Sequence, residues 1–298
     1  MAKANTIKAS LGERIFYVSN YFFFFLLGIA TLFPFLNVLA KSFSSEAAVI
    51  SGLVTVFPID FQTGTYELVL GNKQFMNSFK VTVLITVSYT FLALVMTAMA
   101  AYPLSKPGLR WRKPILLLYV FAMLFNGGLI PNYLLMQNLN LINSLWSLIL
   151  PGMVQVFYML LIKNFFEGLP EGLEESAKLD GASNMRILWS LVLPLSLPVL
   201  ATVALFYAVL MWNSYFSAMV YISRPELKPM QLYLKELIAS TNDVLGQSGM
   251  IDISRDLNRS PEAVQAASII VATVPILCVY PFLQKYFVKG VLVGSVKG

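Results

Sequence analysis

The chain has 298 residues, of which 57% are hydrophobic and only 12% charged, against about 25% charged in an ordinary soluble domain, so the composition argues against a water-soluble globule. Twenty-one Lys and Arg against fifteen Asp and Glu give a formal charge of +6, but the basic residues are scattered through short polar gaps rather than set in a stripe with aromatics, and nucleic-acid binding is a poor reading of them. The absence of histidine and the single cysteine, Cys278, in an apolar run remove His-based acid/base catalysis, Cys/His metal sites and any intrachain disulfide.

A bilayer core about 30 Å thick takes roughly 20 apolar residues in helix. Six runs qualify, at residues 15–40, 78–103, 114–135, 144–162, 191–222 and 264–283. The first follows Lys3, Lys8 and Arg14, but its length exceeds the 7–15 apolar residues of a typical signal peptide, so it reads as a retained span. The polar stretch 42–77 is expected to carry a short helix around Tyr66 to Val69 and to offer a surface outside the membrane. The gap 104–113 holds four basic residues, Lys106, Arg110, Arg112 and Lys113, whereas 136–143 holds none. Summed over alternate gaps, thirteen basic residues face eight, which places both termini in the cytoplasm. The stretch 223–263 shows a helical phase at Met230, Leu234, Leu237 and Ile238, and reads either as a solvated loop on its own membrane domain or as a docking surface. Prolines at 34, 131, 151, 194, 198, 275 and 281 lie within or at the ends of spans; they mark either kinks lining a pathway or the ordinary tolerance of proline in membrane helices.

The gap 163–190 is the informative one. Leu169, Leu173 and Ala177 recur at four-residue spacing, which predicts a helix starting near Pro170 with one narrow apolar stripe. Pro170 suits a first turn, three glutamates near the start suit the positive helix end, and Lys178 suits the negative end. Gly181 then supplies a stop with a reversed bend, and Ser183 can cap a second helix leading into the membrane. Such a charged hairpin neither spans nor anchors; it is shaped to fit into something.

The segment Glu175-Ser176-Ala177, followed by Gly181, nine further residues and Leu191-Val192-Leu193-Pro194, resembles the EAA signature of permease subunits in binding-protein-dependent ABC importers. Ser176 replaces the first alanine and Leu191 an isoleucine, while Asp180-Gly181-Ala182 fits the common DGA core. Phe125 to Pro131, Trp212 to Phe216, Pro229 to Leu232 and the ending Gly294 to Gly298 are similar to carbohydrate-uptake permeases of the MalG/LplC-like family. The resemblance implies an all-α membrane protein with six transmembrane helices, the type I ABC importer permease fold, in one permease domain over residues 1–298 with the EAA loop at 163–190. It also implies the bacterial inner membrane, with lipid around the spans.

The same resemblance implies the partners: a second, MalF-like permease, a MalK-like ATPase dimer and an extracytoplasmic solute-binding protein delivering a sugar or oligosaccharide. No GxxxxGK[ST] phosphate loop occurs in the chain, so it is not expected to bind ATP by that route; the resemblance implies that ATP and Mg belong to the separate ATPase subunits and that this chain is a transport subunit with no cofactor and no enzymatic activity of its own. In the ATPase cleft, Leu173, Ala177 and Leu179 are expected to pack and Glu175 and Asp180 to pair with basic groups. Ser176, Gly181 and Ala182 complete the coupling set, and Gly294 and Lys297 in the tail are candidates for the ATPase interface. Asn126, Asn132, Trp212, Asn213 and Tyr215 are candidates for the substrate path, since polar groups at membrane depth face a bundle interior or a wet cavity; interhelical bonding and an interfacial aromatic belt are the alternative. The competing functions are a secondary transporter or channel, against which stand spans nearly free of charge, and an ABC importer for a non-sugar solute. Within the sugar reading, an acidic oligosaccharide such as alginate is compatible.

Overall fold

The computed structural model describes residues 10–125, 127–246 and 260–295, and all regular structure among them is helical. The chain divides into two compact units, one of residues up to Leu70 with Ser240–Val271, the other of Gly71–Ala239 with the residues from Ala272 onward.

In the first unit, helix α1 (Leu11–Ser42) opens on a full capping box. The Ser10 side chain accepts from the Glu13 amide at 3.3 Å and the Glu13 carboxylate accepts from the Ser10 amide at 2.7 Å, satisfying two of the amides a helix start leaves open. The most apolar stretch of α1 has none of its residues buried by the rest of the chain, and Phe22 to Phe25 all stand exposed. A helix apolar all round and uncovered by its own protein is what a lipid environment or a partner helix demands. Helices α2 (Glu46–Ile50) and α3 (Gly64–Gly71) follow, the latter overlapping the short helix anticipated around Tyr66. Ala40, Ala48, Val49 and Val54 form a small core with Ala263, beside which Lys41 pairs with Glu262 at 3.4 Å.

The second unit begins with α4 (Lys73–Leu104), capped by the Asn72 side chain, which accepts from the Phe75 amide at 2.8 Å. Then come α5 (Arg112–Leu124), α6 (Leu129–Asn138), α7 (Trp146–Ile149), α8 (Val156–Glu167), α9 (Glu171–Leu179), α10 (Asn184–Ile187), α11 (Leu193–Leu195), α12 (Leu197–Trp212), α13 (Phe216–Tyr221), α14 (Met230–Gly246) and α15 (Pro261–Ser295), the last two running across the boundary between units. The core of this unit lies where α4 meets α12 and α8: Ala93, Ala98 and Ala101 sit with Val199, Val203, Tyr207, Met159 and Ile162, all buried. Small residues on α4 let the backbones approach closely, the packing mode expected where hydrophobic expulsion gives no drive between helices.

Among the described residues three helical stretches are long and apolar enough to cross a membrane unbroken, Leu11–Ser42, Lys73–Leu104 and Pro261–Cys278, and the count rises to five if each of two bent pairs is one span. The expected spans at 114–135 and 191–222 are these pairs, α5 with α6 and the segment Asn184–Leu195 with α12, the second bent by 84°. The cause of the second bend is local. Pro194 has no amide to donate, so the chain widens into a π turn over Leu188–Val192 and breaks at Ser196 before Pro198.

The run expected at 144–162 is helical only in α7 and α8, with Leu150 to Gln155 outside helix. Leu150 keeps helical backbone at φ −67°, ψ −43°, and the chain leaves the helix after it, where Pro151 has no amide to donate and Gly152 takes φ +75°. The polar backbone freed there is taken up by side chains of neighbouring helices. Tyr89 donates to the Gly152 carbonyl at 2.9 Å, and Tyr207 accepts from the Gln155 amide at 3.1 Å and donates toward the Met153 carbonyl at 3.3 Å. The Thr97 hydroxyl meets that of Tyr207 at 2.6 Å. Irregular backbone inside an apolar bundle persists only when its groups are satisfied in this way.

Candidate functional site, a charged helical hairpin

Helix α9 starts behind Pro170, whose carbonyl accepts from the Leu173 amide at 3.2 Å. Its end is a Schellman stop: the Gly181 amide donates to the Lys178 carbonyl and the Ala182 amide to the Ala177 carbonyl, both at 3.0 Å. Gly181 sits at φ +78°, in the left-handed region that glycine enters without strain. Ser183 then caps α10, its side chain accepting from the Arg186 amide at 3.3 Å. The helix, stop and second cap therefore fall at the residues whose spacing anticipates them.

The two faces of α9 differ. Ala177 and Ala182 are half-buried and pack, with Leu169, against the core of the unit, so Ala177 is an inward residue rather than one free to pack on a partner. Glu175, Ser176, Asp180 and Gly181 are exposed, Leu173 is 39% exposed, and Leu179 is 90% exposed. Leu179 thus stands open beside two acids that form no ion pair among the described residues.

Sequence reasoning missed what lies behind that face. Glu174, 9% exposed as a residue, forms an ion pair with Lys106 in the segment between α4 and α5, and the Lys106 ammonium lies 4.6 Å from the centre of the Tyr102 ring. At the end of α8, Glu167 pairs with Arg112 and, at 2.8 Å, with Lys163. Arg112 in turn donates through Nε to the Leu104 carbonyl at 2.8 Å, at the C-terminal end of α4, where a cation also meets the negative helix end. Four elements are thus tied at the root of the hairpin. The only signal available beforehand was the four-residue spacing of Lys163 and Glu167; the basic residues of 104–113 serve there as markers of orientation.

The substrate-path candidates do not converge on one described site. Asn132 is exposed on α6. Trp212 is buried, edge-on to Phe79 with ring centres 6.2 Å apart, so neither face of its indole stands open for stacking on a sugar. Asn213 is exposed, and its side-chain amide donates to the Val209 carbonyl at 2.8 Å, closing the end of α12. Tyr215 is 38% exposed, with the Lys235 ammonium 4.3 Å from its ring centre. In the tail, α15 is helical through Gly290 and Gly294. Asn126 and Lys297 lie outside the described residues. Among the described residues no cluster of three His, Cys, Asp or Glu side chains can hold a metal ion.

The family model described as "Binding-protein-dependent transport system inner membrane component" matches residues 107–293, which include the hairpin with Arg112, Lys163 and Glu167 of its root, Lys106 lying one residue before the match. The chain belongs to this family. It is therefore an ABC-transporter permease subunit, not a catalytic one, and the secondary-transporter alternative falls away. The chain is 42% identical to Protein LplC of Bacillus subtilis (strain 168), over 100% of both chains. It is 38% identical to the polygalacturonan/rhamnogalacturonan transport system permease protein YtcP of the same organism, over 96% of this chain and 99% of that one. Among solved structures, one chain of a bacterial ABC transporter involved in the import of the acidic polysaccharide alginate superposes with a TM-score of 0.88 at 34% identity, covering 95% of this chain and 100% of that chain. The fold is thus that of an ABC importer permease.

Proposed function

We propose that this chain is one of two permease subunits of an ABC importer that brings an acidic oligosaccharide into the cytoplasm. Its partners are a second, MalF-like permease, a MalK-like ATPase dimer that binds ATP and Mg, and an extracytoplasmic solute-binding protein. Both compact units then belong to a single permease, with six membrane crossings, some of them broken, and both termini in the cytoplasm of the bacterial cell. The observation that carries the cargo is the likeness to the alginate-importing chain at 34% identity over nearly the whole length. The polygalacturonan permease points to the same polymer chemistry, sugars bearing carboxylates.

The outer face of α9 supplies the route for energy. Leu173 and Leu179 insert into a cleft of the ATPase, Glu175 and Asp180 pair with its basic groups, and the tail with Gly294 and Lys297 reaches toward the ATPase dimer interface. When the ATPase pair closes on ATP, the hairpin is pushed as a lever against the bundle. The test is co-purification in detergent with the candidate ATPase and second permease, then ATP hydrolysis and uptake in proteoliposomes with binding protein and a panel of neutral and uronic-acid oligosaccharides. Stimulation by uronic-acid oligosaccharides alone is the expected result. Equal stimulation by neutral sugars would overturn the acidic assignment, and transport without any ATPase would overturn the importer reading for this chain.

A further inference from the structure

We propose that Lys106 and Glu174 are positioning residues for energy coupling: they fasten the hairpin to the bundle so that α9 moves together with the adjoining ends of α4 and α8 as one body. The inference rests on the docking role proposed for the outer face of α9. Burial gives the first argument. Glu174 is one of two charged side chains buried among the described residues, the other being Lys163 at the same root. A carboxylate taken from water is stable only with a partner in good geometry, and Lys106 is that partner. The Lys106 ammonium is itself held by the Tyr102 ring, 4.6 Å from its centre, and Tyr102 lies in the last turn of α4.

The second argument is connection. Arg112 joins the end of α4 to Glu167 at the end of α8, and Lys163 secures Glu167 from the preceding turn of α8. Leu169, Ala177 and Ala182 add apolar contact between the hairpin and the core. Push on the outer face of α9 thus meets an ion pair whose carboxylate is buried and whose ammonium is partly exposed, and a packed face, rather than a loose loop. A hairpin free to slide would dissipate the push; one tied to α4 and α8 transmits it to the broken helices of the bundle.

The test uses the complete importer in proteoliposomes, with co-purification of the ATPase, ATP hydrolysis and uptake measured on the same preparations. In Glu174→Gln and Lys106→Gln the ATPase still co-purifies and hydrolyses ATP, but uptake per ATP falls on the order of tenfold, in line with removal of one partner of a charge pair whose carboxylate is buried. Lys106→Arg, which keeps the cation and its seat on Tyr102, retains uptake. In a Cys278→Ser background, Lys106→Cys with Glu174→Cys bridged by a short bis-methanethiosulfonate, each thiolate forming a disulfide as methanesulfinate leaves, keeps transporting, because the bridge replaces the tie. Unchanged coupling in Glu174→Gln, or arrest of transport by the bridge, would overturn the inference. Glu175→Ala separates the two readings: if it breaks the association with the ATPase while Glu174→Gln leaves coupling intact, only the tie is refuted. If neither variant alters association or coupling, the docking role falls as well.

Discussion

Tyr207→Phe tests the account of the broken segment between α7 and α8. The Tyr207 hydroxyl meets three groups: Thr97 at 2.6 Å, the Gln155 amide at 3.1 Å and the Met153 carbonyl at 3.3 Å. Loss of that oxygen does not orphan all three. Thr97 already lies 3.4 Å from the Met153 carbonyl and can donate to it, whereas the Gln155 amide, at the N-cap of α8, loses its acceptor. One part-buried donor left open costs about 1–3 kcal/mol. At roughly 2.1 cal/mol/K of unfolding entropy per residue over 298 residues, each kcal/mol shifts Tm by about 1.6 °C, so the fall in Tm is about 2–5 °C. Tyr89→Phe is the internal comparison: its hydroxyl donates to the Gly152 carbonyl at 2.9 Å, but that carbonyl also accepts from the Gln155 side chain at 3.2 Å. It therefore loses only an ordinary net hydrogen bond, about 0.5–1.5 kcal/mol. Thermal unfolding of the purified subunit in detergent, followed by intrinsic tryptophan fluorescence, gives both values. A Tyr207→Phe protein as stable as the parent, or less affected than Tyr89→Phe, would refute the claim that side-chain hydroxyls hold this irregular backbone.

Gly181→Ala places a β-carbon where no neighbouring atom lies within 4 Å, so its cost is the left-handed backbone alone, about 1–2 kcal/mol, with Gly181→Asn milder; hydrogen exchange over 176–183 reads both. Asn143 holds the turn after α13, its carbonyl oxygen accepting from the Ser223 amide at 2.6 Å, the Ser223 hydroxyl at 2.9 Å and the Arg224 amide at 3.1 Å. Asn143→Ala, also strained at φ +58°, is expected to raise protease cutting near residue 223, while Asn143→Asp keeps the acceptors and leaves cutting unchanged. Ser10→Ala removes one half of the capping box on α1 and should cost about 1 kcal/mol, seen as faster amide exchange in the first turn.

The parts of the molecule legible in the sequence are those set by local chemistry. The hairpin was legible because Pro170, Gly181 and Ser183 each act on their own backbone, and the structure puts a cap, a left-handed stop and a second cap at these residues. Hydropathy locates apolar segments but says little about continuity. The run 144–162 is mostly apolar and free of charge, yet whether Pro151 and Gly152 break it depends on Tyr89, Thr97 and Tyr207, more than fifty residues away, satisfying the freed groups. Trp212 has the same lesson in reverse. An aromatic beside Asn213 and Tyr215 reads as a sugar platform, but its exposure is fixed by Phe79 on another helix.

Charge placement joins these two lessons at the hairpin. Glu174 and Glu175 are adjacent in sequence and a helix turns about 100° between neighbours, so the two carboxylates cannot share a face. Glu174 turns to Lys106 and is buried; Glu175 turns outward and, with Asp180, makes no ion pair among the described residues. In a chain with 12% charged residues, spending one acid inward at the cost of desolvation stabilises the element only if its partner is present, and spending another outward is useful only if a cation arrives from elsewhere. Composition treats the two acids as equivalent, and a motif assigns both to one signature. Their opposite burial separates them: loss of the inner acid should alter how motion is transmitted, and loss of the outer acid should alter whether the ATPase is held at all.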